Sequence, residues 1–231
     1  MAPPSNRSAT RRPGPLVRVD MHVHTMWSGD STTTPEELAE AVARASLDVV
    51  CITDHHTIAG AQELAGRLPC RVVVGQECRT AAGELIGLFL SARVPPGLSP
   101  AQVAEVVHDQ GGLVYVPHPF DPHRHRLRDE ELSGLASSGA LDAVEVLNAK
   151  TPPGGCRREA ASFAQRWGLP AGAGSDAHVP AAIGAACVEM EDFHDARSFL
   201  AALRSPRASV TGRHFDPPRR WAPRVVPSTR S

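Results

Sequence analysis

At 231 residues, with 42% hydrophobic and 21% charged residues, the chain is long enough for one domain whose core needs no covalent staples. Its net charge of −1 hides basic ends around an acidic middle: Arg7, Arg11, Arg12 and Arg18 have no acid among them, and Arg213, Arg219, Arg220, Arg224 and Arg230 stand against Asp216 alone. That balance argues against general nucleic-acid binding and suits a site for divalent cations.

The five cysteines are odd in number and form no C-x-x-C pair, which argues against a disulfide framework or a thiolate metal site. No apolar run reaches the ~18 residues of a membrane helix, and residues 1–18 lack the apolar stretch of a secretory signal, so a cytoplasmic setting is expected.

In chain order, residues 1–15 read as a disordered basic tail rich in Pro, Ser and Arg. Short apolar runs then predict buried strands at 16–20, 48–53, 71–75, 85–90, 113–117, 143–147, 170–174 and 185–190. Helices are predicted between many of them. Thr34-Pro35-Glu36-Glu37 is a capping box with proline at the first helical position, opening a helix to about residue 47. Ser99-Pro100-Ala101-Gln102 opens a second, which Gly111-Gly112 stops. A third spans 156–167 with Gly168 just past its end, and a last runs from 192 or 194 to about 204. The Pro- and Arg-rich stretch 212–231 reads as a second tail, which leaves 16–211 as the catalytic domain. Apolar strands alternating with helices imply a parallel α/β sheet, open or closed.

Polar residues gather where these runs end. His22, His24 and Asp30 follow the first run, and Asp54, His55 and His56 the second. Glu77 follows the third, His118 the fifth, Asn148 and Lys150 the sixth, and Asp176 and His178 the seventh. Glu84 is the exception, because it precedes its run. A β/α barrel builds its active site at the C-terminal ends of its strands. Imidazole mixed with carboxylate is the donor set for Zn, Mn, Fe and related ions. Side chains alternate along an extended segment, so His22-Val23-His24 presents two imidazoles on one side, and Asp176-Ala177-His178 has the same geometry. A carboxylate such as Glu77 can bridge two ions within ~4 Å.

Several stretches together resemble the PHP family, the polymerase and histidinol phosphatase-like metallophosphoesterases. They are Val19-Asp20-Met21-His22-Val23-His24-Thr25, Ser28-Gly29-Asp30-Ser31, Ile52-Thr53-Asp54-His55, Gly75-Gln76-Glu77, Val116-Pro117-His118-Pro119-Phe120-Asp121 and Gly174-Ser175-Asp176-Ala177-His178. The resemblance covers about residues 18–210. It implies a single-domain, distorted (β/α)7 barrel with two or three metal ions at its C-terminal mouth. By the same resemblance His22, His24, Glu77 and Asp176 hold a first ion. Glu77 bridges to a second ion that His118 also binds, and Asp30, His55 and His178 hold a third. Many members have a histidine for the second ion where this chain has Glu84, so Glu84 is expected in that role.

The expected reaction is attack on phosphorus by a metal-bridging water held by Glu77 and Asp176, with His178 beside it. Arg124 and Arg126 follow His118 on one loop, and guanidinium forks match phosphate. With Asn148 and Lys150, the only lysine, they are the candidate substrate-binding residues. The expected substrate is a small phosphorylated molecule such as a nucleotide or phosphosugar, with Mn, Fe, Zn or Mg as cofactor. No membrane partner is expected, and a short oligonucleotide fits better than long nucleic acid. Three alternatives stay open: an exonuclease on short RNA or DNA, an amidohydrolase-type C–N hydrolase, and a non-catalytic metal-binding scaffold. The scaffold predicts decayed ligands, whereas all but one of the expected positions carry the family's residue type.

Overall fold

The computed structural model describes residues 14–216. Most of both expected tails therefore lies outside the described residues. The chain enters on β1 (Leu16–Val23), whose last five residues are buried. A 3-10 turn at Met26–Ser28 leads to α1 (Pro35–Arg44). The Thr34 hydroxyl accepts from Glu37 N–H and the Glu37 carboxylate accepts from Thr34 N–H, which satisfies two orphan donors at once. The helix stops at Arg44 rather than near 47. Ser46 takes a left-handed conformation (φ 51°) as the chain turns towards β2 (Val49–Ile52).

α2 (Ala59–Leu64) was not predicted; six residues without a side-chain cap leave too short a window for helical periodicity. β3 (Arg71–Thr80) runs past its expected end at 75, because its second half pairs antiparallel with β4 (Gly83–Leu88), from Gly75↔Leu88 to Thr80↔Gly83. α3 (Pro100–Asp109) carries the expected Ser99–Gln102 capping box and leads to β5 (Leu113–Val116). α4 (Asp129–Ser138), β6 (Ala143–Asn148), α5 (Gly155–Trp167) and β7 (Ala171–Gly174) follow. β8 (Ala186–Glu191), α6 (Ala196–Leu203) and β9 (Ser209–Gly212) complete the fold.

The strand order is β7-β6-β5-β4-β3-β2-β1-β8-β9. β1 to β3 are parallel, β5 to β7 are parallel, and β4 is antiparallel to both its neighbours. The two ends of the seven-stranded stretch meet. Val23 bridges Ala177, His24 N–H donates to Ala177 O (3.0 Å), and Asp176 N–H donates to His22 O (2.7 Å). This is a nearly closed, distorted (β/α)7 barrel in a single domain, pinned at the C-terminal end of β1. The first half of β1 pairs antiparallel with β8, from Leu16↔Glu191 to Val19↔Val188, so β8 and β9 extend the sheet outside the ring.

Strand alternation divides the apolar side chains. Val49 and Cys51 join one cluster with Ile86, Tyr115 and Phe199, while Val50 and Ile52 pack on Leu38, Ala41 and Val42 of α1. A third cluster seats α3, α4 and α5 against Val114, Val116 and Val144. All five cysteines are free, and burial pushes the Cys78 thiol up to about 12, as expected of small apolar fillers. Residues 212–216 do not leave the barrel as a tail would. Arg213 N–H donates to Ala185 O and Phe215 N–H to Ala149 O, both at 2.8 Å.

Candidate metal centre

Six strands of the ring point their C-terminal ends at one mouth. His22 and Glu77 lie on β1 and β3, and the other expected ligands of these strands follow β1, β2, β5 and β7. The hairpin explains the exception: β4 is antiparallel, so Glu84, near its beginning, opens on the same mouth as Glu77. The strand ends are cross-linked through their backbones, with Glu77 N–H donating to Thr53 O and His56 N–H to Glu77 O. His118 and Asp176 hold positive φ angles (30° and 52°), a strain that persists where surrounding structure fixes it and that clusters at functional sites.

The Nε2 atoms of His22 and His24 are 3.0 Å apart and lie 3.3 and 3.2 Å from Glu77 Oε2. Asp176 Oδ1 is 3.7 and 3.6 Å from the same two nitrogens. Donors 2.0–2.1 Å from a tetrahedral ion stand about 3.3 Å apart, so the two imidazoles and Glu77 converge as one ion requires, and Asp176 lies against the two imidazoles outside that group. A second group joins Asp30 Oδ2 to His55 Nε2 (3.3 Å) and His178 Nε2 (3.2 Å), with His24 beside them. A third brings His55, Glu77 and Glu84 together. His118 Nε2 faces it, 3.3 Å from Glu77 Oε1 and 3.8 Å from Glu84 Oε2. Arg79 Nε holds the other Glu84 oxygen at 3.1 Å.

The electrostatics fit cations. Burial would raise the carboxyls of Glu77 and Asp176, but neighbouring positive charges and hydrogen bonds hold both well below the usual range. For Glu77 these are His22, His118 and His24; for Asp176 they are Arg124, Lys150, His22 and His178. Burial opposes protonation of His22, yet Asp176, Glu77 and Glu145 outweigh it and raise the imidazole well above its ordinary value. Such an excess of buried carboxylate is compensated when metal ions replace those protons. Asp30 Oδ1 is buried without a hydrogen-bond partner and His55 Nδ1 has only a 3.4 Å contact with Glu77 Oε2, a cost that a bound cation removes.

A layer of polar residues lies behind the donors; Asp54 is among the strand-end residues seen in the sequence and Asp20 in the family stretch, but their supporting roles are not legible there and Glu145 is missed altogether. Glu145, on β6 and 1% exposed, accepts from His22 Nδ1 (3.2 Å), from His118 N–H (2.7 Å) and from Asn148 Nδ2 (2.9 Å). Asp20 accepts from the N–H groups of His22, Ser175 and Gly184, and burial pushes its carboxyl up to about 6. Asp54 accepts from Thr25 N–H and Oγ1–H. The available signal was a lone acid inside an otherwise apolar run, since a buried charge needs a partner. Gly174 permits the packing: a Cβ there would stand 2.3 Å from His22 Cβ and 2.7 Å from Glu145 Oε1. Gly174→Ala is expected to cost about 1–3 kcal/mol in urea unfolding. Wild-type stability would show that β7 and β1 need not approach so closely.

Of the four candidate substrate residues, two reach the mouth. Arg124 pairs with Asp176, and Lys150 Nζ lies 3.1 Å from Asp176 Oδ1 and 2.7 Å from His178 Nδ1. Arg126 stands apart from these groups, its guanidinium turned to Asp129 in the first turn of α4 and to Leu127 O. Asn148 is buried and donates to Glu145 and to Asp176 Oδ2 (3.2 Å). The mouth opens into a cavity of about 300 Å³ lined by Asp30, His55, Glu84, Arg124, Lys150 and His178, with His123 and His125 on its wall.

The PHP domain matches residues 20–116, and the PHP-associated family matches 156–208. An uncharacterised protein of Methanocaldococcus jannaschii is 38% identical over 58% of this chain and 82% of its own length. The chain belongs to the PHP family. A second uncharacterised protein of that organism is 30% identical over 77% of this PHP chain and 72% of its own. Among solved structures, a two-domain protein from Bacteroides vulgatus containing a predicted PHP-like metal-dependent phosphoesterase superposes with a TM-score of 0.70. It is 19% identical, over 89% of this chain and 70% of that one. The PHP fold is shared with endonuclease Q in complex with a 27-mer duplex (TM-score 0.64, 16% identity, 82% of this chain, 56% of that one). It is shared also with an amidohydrolase from Chromobacterium violaceum (TM-score 0.56, 17% identity, 72% of this chain, 89% of that one). No helix among the described residues is long and apolar enough to cross a membrane.

Proposed function

We propose that this PHP protein hydrolyses a small phosphorylated substrate with two or three divalent cations. The observation that carries the reading is the pairing of convergent metal donors with two basic side chains, Arg124 and Lys150, at one mouth. His22, His24, Glu77 and Asp176 would hold one ion, Glu77, Glu84 and His118 a second, and Asp30, His55 and His178 a third. The imidazole-rich groups suit Zn or Fe, and the carboxylates at Glu77 and Glu84 suit Mn or Mg. When bound, such ions supply a water of lowered pKa and neutralise charge building on phosphate.

The protein's own groups do the rest. Arg124 and Lys150 both rest on Asp176, and a phosphate entering the mouth offers them competing oxygens. A guanidinium takes two such oxygens in its fork, and the ammonium adds a point charge. Glu145 and Asn148 keep His22 and Asp176 aimed while those cations move. His123 and His125, on the cavity wall, are the candidate proton donors to the leaving oxygen.

Inorganic phosphate release is the direct test, across phosphomonoesters and nucleotides with Mn²⁺ and with chelator. Chelator-sensitive release from some of them is the expected result. No release from protein with confirmed bound metal would sink the phosphomonoesterase reading. The likeness to endonuclease Q favours a short oligonucleotide as the second reading. A labelled short RNA in the same assay separates the two, since shortening without phosphate release marks phosphodiester cleavage.

A further inference from the structure

β9 runs antiparallel to β8, and β8 antiparallel to β1, so β9 points the same way as β1 and delivers residues 213–216 to the metal mouth. The segment is fastened there. Arg213 N–H donates to Ala185 O, and both Phe215 N–H and His214 Nδ1 lie 2.8 Å from Ala149 O, one residue before Lys150. Between this segment and the barrel lies a cleft of about 530 Å³, within the range of small-molecule sites. Its apolar lining comes from Pro152, Val179, Ala182 and Phe215. Arg124, Lys150 and His178 line both this cleft and the metal cavity, so the two volumes adjoin at the phosphate-binding cations.

We propose that residues 214–216 form the wall of a leaving-group subsite, with Phe215 its apolar face, selecting phosphoesters that carry a flat, largely apolar ring over small polar ones. The inference rests on the phosphoesterase reading above. Charge and shape fix the orientation. A phosphate held by Arg124 and Lys150 at the metals has its ester substituent directed either to solvent or into this cleft. Only the cleft removes a ring from water. The volume exceeds what a glycerol-sized group fills, so a small polar substituent gains little there.

The test uses two non-hydrolysable probes, phenylphosphonate and methylphosphonate, titrated calorimetrically into the Mn²⁺-loaded full chain. The wild type is expected to bind the phenyl compound about tenfold more tightly. Phe215→Ala should reduce that preference to about twofold. Because Phe215 also packs on the core, Phe215→Leu serves as a second variant that keeps aliphatic packing while removing the flat face, with an expected preference of about fourfold. Equal binding of both probes by the wild type, or a preference unchanged in Phe215→Leu, overturns the subsite and leaves the phosphoesterase reading standing. Failure of both probes to bind overturns phosphate recognition at the mouth, and the subsite with it.

Discussion

Glu77→Gln is expected to lower phosphate release by about 10³-fold and to remove at least one metal ion per chain, with the fold retained. Glu77 is the hub of the mouth: His22, His24, His55 and His118 all approach its two oxygens within 3.2–3.4 Å. A carboxylate can serve two ions at once, one through each oxygen; an amide offers one weak oxygen and a nitrogen that repels a cation. The expected factor is what enzymes lose when one preorganised electrostatic group is removed from a dry site. The fold should survive because the amide removes a buried negative charge from a region that already holds Asp176, Glu84 and Glu145. Asp176→Asn and His24→Ala take a carboxylate and an imidazole from the same mouth and should lose turnover likewise. Metal content by emission spectroscopy, read beside the rate, decides the matter. Wild-type metal content with a wild-type rate in Glu77→Gln would remove Glu77 from the centre.

Much of this site is legible in the sequence. His22-Val23-His24 and Asp176-Ala177-His178 each need only the two-residue period of an extended chain to aim two side chains together, and their local spacing is the whole of that information. The capping boxes at Thr34 and Ser99 are equally local. What escaped depends on partners distant in sequence. Glu84 looked out of phase until the β3–β4 hairpin reversed the direction of its strand. Glu145 sits in the run Ala143-Val144-Glu145-Val146-Leu147 as the only charge, and its partners lie 123 and 27 residues earlier in the chain. α4 went unseen because Ser133, Gly134, Ser137 and Ser138 weaken its helical signal and only Leu132 and Leu135 are buried. β9 carries three exposed residues and just one partly buried one, so no apolar run announces it. Its position, and hence that of Phe215, follows from pairing with β8 rather than from its own composition.

The second large effect concerns Glu145, which touches no substrate and by its position holds the donors from behind. Glu145→Ala leaves His22 Nδ1, His118 N–H and Asn148 Nδ2 facing a buried void with no acceptor. Breaking a buried, charge-assisted network on one side costs about 3–5 kcal/mol. Glu145→Gln separates stability from positioning. The glutamine fits the same space, and its single oxygen can still accept from His118 N–H and Asn148, where Oε2 now does. Its NH₂ group then faces His22 Nδ1 and must donate to it. That moves the ring proton to Nε2, the atom 3.0 Å from His24 Nε2 and 3.3 Å from Glu77, where a metal needs a lone pair. Glu145→Gln should therefore unfold within about 1 kcal/mol of the wild type yet bind Mn²⁺ or Zn²⁺ some 10–100-fold more weakly, the range seen when a ligand's orienting partner is changed. Denaturant unfolding of the metal-free protein and a metal titration measure the two quantities separately. If Glu145→Gln loses stability as severely as Glu145→Ala, the carboxylate acts as a structural charge. If it keeps both stability and affinity, the tautomer of His22 is set by some other group.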